Sequence, residues 1–132
     1  MTDTAKQDIT SVGDIAKLVD AFYVYVRKDP VIGPIFIGAI REKWPEHLEK
    51  MVRFWQTVIF GVPVYTGSPF PLHARMPLQQ KHFDTWLALW TATVDRLFAG
   101  KNADDAKLKA RNMTIMFVSK LDNPFYKASG RQ

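Results

Sequence analysis

The chain has no cysteine. Disulfides, iron–sulfur clusters, thiolate zinc sites and cysteine nucleophiles are therefore excluded. No apolar run approaches the length needed to cross a bilayer, so no membrane span is expected. The first ten residues are polar, with Asp3, Lys6 and Asp8, and lack the apolar core of a secretory signal, so cytoplasmic residence is the expectation. No block of five like charges occurs. The phosphate-cradling glycine loop, the His-Glu-x-x-His pair and the Asp-rich calcium loop are also missing. The few serines stand in no nucleophile-elbow pattern.

What is present is aromatic surface. Nine Phe, four Tyr and four Trp make 13% of 132 residues, within a chain that is 47% hydrophobic. That length fits one domain, 1–132, with residues 1–10 and 123–132 expected as flexible tails. Surface scaling gives roughly 7,000 Å² folded against roughly 22,000 Å² unfolded, enough burial for a true core. The charge is +5, from 18 Lys and Arg against 13 Asp and Glu. The basic residues are scattered and most lie beside acids, which reads as a solvated surface, with no nucleic acid expected as a partner.

Helical periodicity dominates and no segment reads convincingly as a strand, so the fold class is all-α. Ser11 with Asp14 three residues on reads as a helix start; Ile15, Leu18, Val19, Phe22 and Val26 then recur until Asp29-Pro30. Val31 to Ile40 reads as a short apolar segment punctuated by Gly33-Pro34 and Gly38. Trp44-Pro45-Glu46 opens a helix with Leu48, Met51, Phe54, Trp55, Val58 and Ile59 on its stripe. Gly61 to Pro71 is a loop by its Gly and Pro content, and Leu72 to Met76 forms an isolated turn before Pro77. Gln79 to Phe98 is the clearest amphipathic helix, ended by Gly100. Asn102 is expected to cap a last helix in which Ala106, Ala110, Met113, Phe117 and Leu121 share a face.

Three histidines carry what chemistry there is: His47, His73 and His82. None lie three or four apart, so no helix presents two of them to one metal. His47 falls on the apolar stripe of its helix, where a half-buried, hydrogen-bonded imidazole is the ordinary role. His82 reads as a boundary residue beside Phe83. His73 sits on one isolated turn that buries little by itself, and an axial bond to an iron would hold it. Tyr23 and Trp86 each bring a polar tip to a core-facing edge; packing with that tip at the surface is the ordinary reading.

In order and spacing these features resemble the truncated haemoglobins, most closely their third group. The resemblance runs from Ile15 to Leu121. It includes Ile-Ala-Lys-Leu and Phe22-Tyr23, Val-Arg-Lys-Asp, Gly33-Pro34-Ile35-Phe36, Trp44 followed by Glu46-His47, and Phe54-Trp55. It continues through Tyr65-x-Gly67-x-Pro69 to Phe83-Asp84-x-Trp86-Leu87. The di-glycine pairs of the first two groups are absent.

The resemblance implies a two-over-two helical sandwich around one haem b, with His73 as the proximal iron ligand. Phe36 would pack against the porphyrin. Tyr23, His47, Met51 and Trp86 would form the distal pocket, and Phe54, Met76 and Phe83 its walls. Arg75, two residues after the ligand, would partner a propionate. His47 would donate to ligand, act as a gate or coordinate the iron. The implied function is binding of O2, nitric oxide and other diatomic ligands. Oxidation of nitric oxide to nitrate with an external reductase is the favoured chemistry; ligand sensing and peroxidase chemistry are alternatives. The rival from another class is a cofactor-free basic helical module that binds nucleic acid or protein, which accounts for the charge but not for the loop or the histidine order.

Overall fold

A computed structural model describes residues 6–65 and 79–122, with the side chains of 120–122 not described. It contains five helices: α1 (Val12–Lys28), α2 (Gly33–Ile40), α3 (Trp44–Phe60), α4 (Gln80–Leu97) and α5 (Lys101–Asp122). No strand occurs among the described residues. α1 packs on α2 and α3, and α4 packs on α5; the two pairs meet where α1 crosses α4 and α3 crosses α5. The isolated turn expected at Leu72 to Met76 and the tail over 123–132 lie outside the described residues.

α1 begins where the sequence places it. Ser11 Oγ accepts the Asp14 N–H at 3.1 Å, and the Asp14 carboxylate accepts from the Thr10 N–H at 2.9 Å. Ile15, Leu18, Val19, Phe22 and Val26 are all buried. Asp29 ends the helix, and its carboxylate accepts from the N–H groups of Val31 and Ile32 at 2.8 and 3.0 Å. The punctuated segment that follows is itself a helix, α2, which corrects the sequence reading. Pro34 sits in its first turn, where a missing N–H costs nothing. Gly33 is there for space: a Cβ would lie 2.8 and 2.9 Å from the carbonyl oxygens of Arg27 and Val26. α3 starts at Trp44-Pro45 and ends on Gly61 with φ of 71°, a left-handed cap that glycine adopts without strain.

The core centres on Trp90, which is fully buried. Trp55 stacks on it at 4.3 Å between ring centroids, and Phe22 meets it edge-on at 5.0 Å. Its indole N–H donates to the Ala106 carbonyl at 3.1 Å. The small residues Ala103, Ala106 and Ala110 are buried along α5 and let that helix approach the ring.

One cap differs from expectation. Asn102 does not cap α5 by its own side chain; Asp8 does, from the far end of the chain. The N–H groups of Asn102 and Ala103 donate to the Asp8 carboxylate at 2.9 and 2.8 Å, and the Ile9 N–H donates to it at 2.8 Å. The Asn102 amide instead donates to the Ile9 carbonyl at 2.7 Å. Gly100 admits this approach, with φ of 140° and an Asp8 side chain standing where its Cβ would be. Ile9 is fully buried and the Ala99 N–H donates to the Gln7 carbonyl, so from Lys6 onward the expected tail is docked. An isolated polar pattern gives no hint of this, because the cap and the helix it serves are about ninety residues apart in sequence. Burial acts to raise the Asp8 carboxyl, but its backbone donors and nearby Lys101 outweigh this and hold it below the ordinary range.

His82 does more than mark a boundary. Its Nδ1 accepts from the Gln79 N–H at 2.7 Å and so closes the first turn of α4. This bond requires an unprotonated Nδ1. Burial, aided by the adjacent Lys81, pushes the imidazole below its ordinary value of 6.5.

Two outcomes follow. Asp8→Ala should destabilise the fold by about 1–2 kcal/mol, read by denaturant unfolding, because two helix N–H groups lose their acceptor. For His82, the unfolded chain binds the proton at a higher pH than the folded one. Its contribution is complete above 6.5 and declines as pH falls below that value toward the lowered folded pKa. His82→Gln should therefore flatten the loss of stability in that acid window, measured by unfolding titrations across pH.

Candidate functional site

Phe22 and Tyr23 are neighbours on α1 and so point about 100° apart around the helix. Phe22 turns into the tryptophan core. Tyr23 turns toward α2 and α3, where it is 5% exposed. Its ring meets Phe36 of α2 at 6.3 Å, Trp44 at 5.7 Å and His47 at 5.1 Å, all edge-on. The Tyr23 hydroxyl and His47 Nε2 are 3.0 Å apart and share one hydrogen. Burial raises the phenol far above its ordinary value of 10, so Tyr23 remains a protonated, neutral hydrogen-bonding group.

His47 is half-buried one turn into α3, held there because the helix opens at Trp44-Pro45. Met51 and Phe54 follow at four and seven residues along the same face, each 8% exposed. Trp86, half-buried on α4, joins the cluster through Phe22 at 5.6 Å. Tyr23, His47 and Phe36 are thus linked ring to ring, with Trp86 joined through Phe22 and with Met51 and Phe54 in the same buried core. Phe83 lies one turn before Trp86 and is buried, with its ring 5.9 Å from Phe117 of α5. His73, Arg75 and Met76, the remaining sequence-based candidates, lie outside the described residues.

The chemistry of this set is narrow. Its polar atoms are a phenol, an imidazole and an indole N–H, each able to donate, with no carboxylate in the cluster. Arg27 places a cation beside the cluster, its guanidinium 4.5 Å over the Trp44 ring. Among the described residues no group of three His, Cys, Asp or Glu could hold a bare metal ion. Apolar walls with a few neutral donors at one end suit a flat apolar group that carries its own metal and a small polar ligand. Sequence reasoning missed Phe22 and Trp44 as members of the cluster. Trp44 reads as a helix opener, and nothing in periodicity says that it leans back over α1.

Several of the described cations are engaged locally. Arg53 pairs with Glu49 at 3.1 Å, Lys107 with Asp95 at 2.6 Å, and Arg96 lies 4.3 Å over the Tyr25 ring. Among the described residues no helix is long and apolar enough to cross a membrane.

Comparison with known proteins agrees with this geometry. The family model described as bacterial-like globin matches residues 8–119. The chain is 34% identical over 120 residues to the group 3 truncated hemoglobin ctb of Campylobacter jejuni, covering 88% of this chain and 91% of that protein. It is 33% identical over 104 residues to the group 1 truncated hemoglobin GlbN of a Nostoc species, covering 77% and 83%. The crystal structure of the group III truncated hemoglobin from Campylobacter jejuni superposes with a TM-score of 0.80 at 32% identity, covering 88% of this chain and 94% of that one. Sequence and overall fold both match, and haem-based binding of small ligands follows in general terms. The chain belongs to the bacterial-like globins, among the truncated haemoglobins.

Proposed function

We propose that the aromatic cluster is the distal side of a haem b pocket, and that the protein binds O2 and other diatomic ligands there. The observation that carries this is the pairing of buried Tyr23 with half-buried His47 at 3.0 Å, among the rings of Phe22, Phe36 and Trp44. The residues suit the group: apolar surface for a macrocycle and neutral donors at one end. His73 would hold the iron, Phe36 and Phe83 would pack on the ring with Met76, and Arg75 would meet a propionate. When bound, haem supplies an iron with one face open to a small ligand.

The side chains of this chain supply the selectivity. The Tyr23 hydroxyl and the Trp86 indole N–H can each donate to a ligand that accumulates negative charge, and two donors in a dry site slow its release. His47 sets what Tyr23 can do. When Nε2 is bare, the Tyr23 O–H donates to it. When Nε2 carries hydrogen, it donates to the Tyr23 oxygen, and the phenol hydrogen is then turned toward the pocket. The pair is thus a two-position donor whose state depends on one imidazole hydrogen.

Slow release favours chemistry on the bound gas over transport. The finer reading is oxidation of nitric oxide by O2 to nitrate, a reaction that consumes one electron per turnover and so needs an external reductase. No flavin or nicotinamide motif occurs in the sequence to supply it.

Three measurements check these readings. The protein should take up haemin with a Soret band that is lost or shifted in His73→Ala; a protein that takes up no haemin overturns the reading. Tyr23→Phe should speed O2 release on the order of 10- to 100-fold, the equivalent of about 1.5–3 kcal/mol for a bond to a charged acceptor. Stopped-flow mixing of the reduced, O2-saturated protein with nitric oxide should give rapid oxidation to the ferric form and nitrate; slow conversion would leave binding or sensing.

A further inference from the structure

The tryptophans do more than fill the core. Trp86 and Trp90 lie parallel, 3° apart in plane with centroids at 6.2 Å, and Trp90 stacks on Trp55 at 4.3 Å. Phe22 bridges this stack to Tyr23, 4.9 Å from Tyr23 and 5.0 Å from Trp90. On the far side Trp55 meets Phe54 at 5.3 Å, and Phe54 meets Tyr65 at 5.2 Å. Tyr65 is half-buried just beyond α3, where its N–H donates to Thr57 Oγ1 at 3.1 Å. A continuous file of rings therefore runs from the Tyr23–His47 pair to a side chain with access to solvent.

We propose that this file is a one-electron relay: Trp86, Trp90 and Trp55 pass an electron inward from Tyr65, so that oxidising equivalents formed in the pocket leave by way of Tyr65. Indole and phenol are the readily oxidised aromatic side chains, and tunnelling falls steeply with distance. Contacts this short make each step fast, with Phe54 and Phe22 as unoxidised bridges. The oxidant is a peroxide. Reduction of hydrogen peroxide to two waters takes two electrons and two protons: the bound haem group would give one electron and the chain the other, the protons would come from Tyr65 and solvent, and the external reductant would return one electron to each. Tyr65 then loses one electron inward and its phenolic proton to water, leaving a neutral tyrosyl radical that an external reductant can repair.

Proton accounting separates relay from terminus. The Trp90 N–H donates to the Ala106 carbonyl, which is no base, so an oxidised Trp90 keeps its proton and remains a strong oxidant of its neighbour. Tyr65 can release its proton to solvent and so traps the hole. Tyr23 has His47 Nε2 as a proton acceptor and serves as the inner station. A second outward branch among the described residues, Tyr23 to Trp44 at 5.7 Å, is disfavoured by the Arg27 guanidinium over the indole, since a positive charge there opposes loss of an electron.

The functional half of this inference rests on the haem reading above, so the experiment has an arm that needs no haem. In pulse radiolysis of the protein as isolated, azidyl radical oxidises indoles first. Conversion of tryptophan radical to tyrosyl radical should then be first-order and independent of protein concentration, and Tyr65→Phe should lose most of its amplitude. Unchanged amplitude in Tyr65→Phe, or a rate that scales with concentration, would overturn the relay. In the second arm, haem-loaded protein is mixed with hydrogen peroxide and a nitrone spin trap, and adducts are located by peptide mass spectrometry. Tyr65 should carry the adduct, and Trp90→Phe should lose most of it while haem uptake is retained. Equal Tyr65 labelling in a loaded Trp90→Phe protein would overturn the assignment of Trp90. Where Trp90→Phe does not fold, Trp55→Phe takes its place with the same two outcomes. Failure to load haem defeats only the pocket reading and leaves the azidyl arm to decide the relay.

Discussion

Trp90 is enclosed on every side, and the three other long helices each reach it with a different kind of contact. α1 brings the edge of Phe22, α3 the face of Trp55, and α5 a main-chain carbonyl that accepts the indole N–H. A buried indole without an acceptor would cost about 1–3 kcal/mol, so the alanines that let α5 come close are part of the same arrangement. Replacing the ring with a methyl group would open a cavity at the crossing of both helix pairs, a loss of about 3–5 kcal/mol. The relative placement of α1, α3 and α4, and hence of Tyr23, His47 and Trp86, depends on this one side chain.

The Tyr23–His47 pairing follows from that placement by simple geometry. With Phe22 committed to Trp90, the next residue must point toward α2 and α3, and it is a tyrosine. Its hydroxyl then lies in surroundings too apolar for a charge and pairs with His47 of α3. The pair stays neutral on the phenol side because burial opposes ionisation. The same commitment of Phe22 links the Tyr23–His47 pair to the tryptophan stack, so packing and the proposed relay share a single set of contacts.

Closure of the fold comes from the opposite end of the chain. The Asp8 carboxylate satisfies the first N–H groups of α5, and Ile9 fills the space beneath. Gly100 is needed at this junction both for its positive φ and because a side chain would collide with Asp8. The segment joins sequence positions that periodicity treats as unrelated, and it secures the helix whose carbonyl holds Trp90.

Much of this molecule was legible as sequence. The α1, α3 and α4 stripes, the Ser11 start, the Pro45 opening and the end of α3 at Gly61 are local, because helix propensity and capping act over a few residues. The joint order of Tyr23, Phe36, His47 and Trp86 pointed to the family, which the comparisons support. Three features lay beyond local reading. α2 was obscured because glycine and proline, ordinarily breakers, stand at its start, where one removes a clash and the other fits the first turn. The α5 cap was assigned to Asn102 because a carboxylate from residue 8 has no signature near residue 102. Above all, a count of seventeen aromatic rings says how much ring surface must be buried but not which faces meet. The stacking of Trp55, Trp90 and Trp86, and the 3.0 Å contact of Tyr23 with His47, are set by how the two helix pairs cross, and that crossing exists only once the long-range contacts have formed.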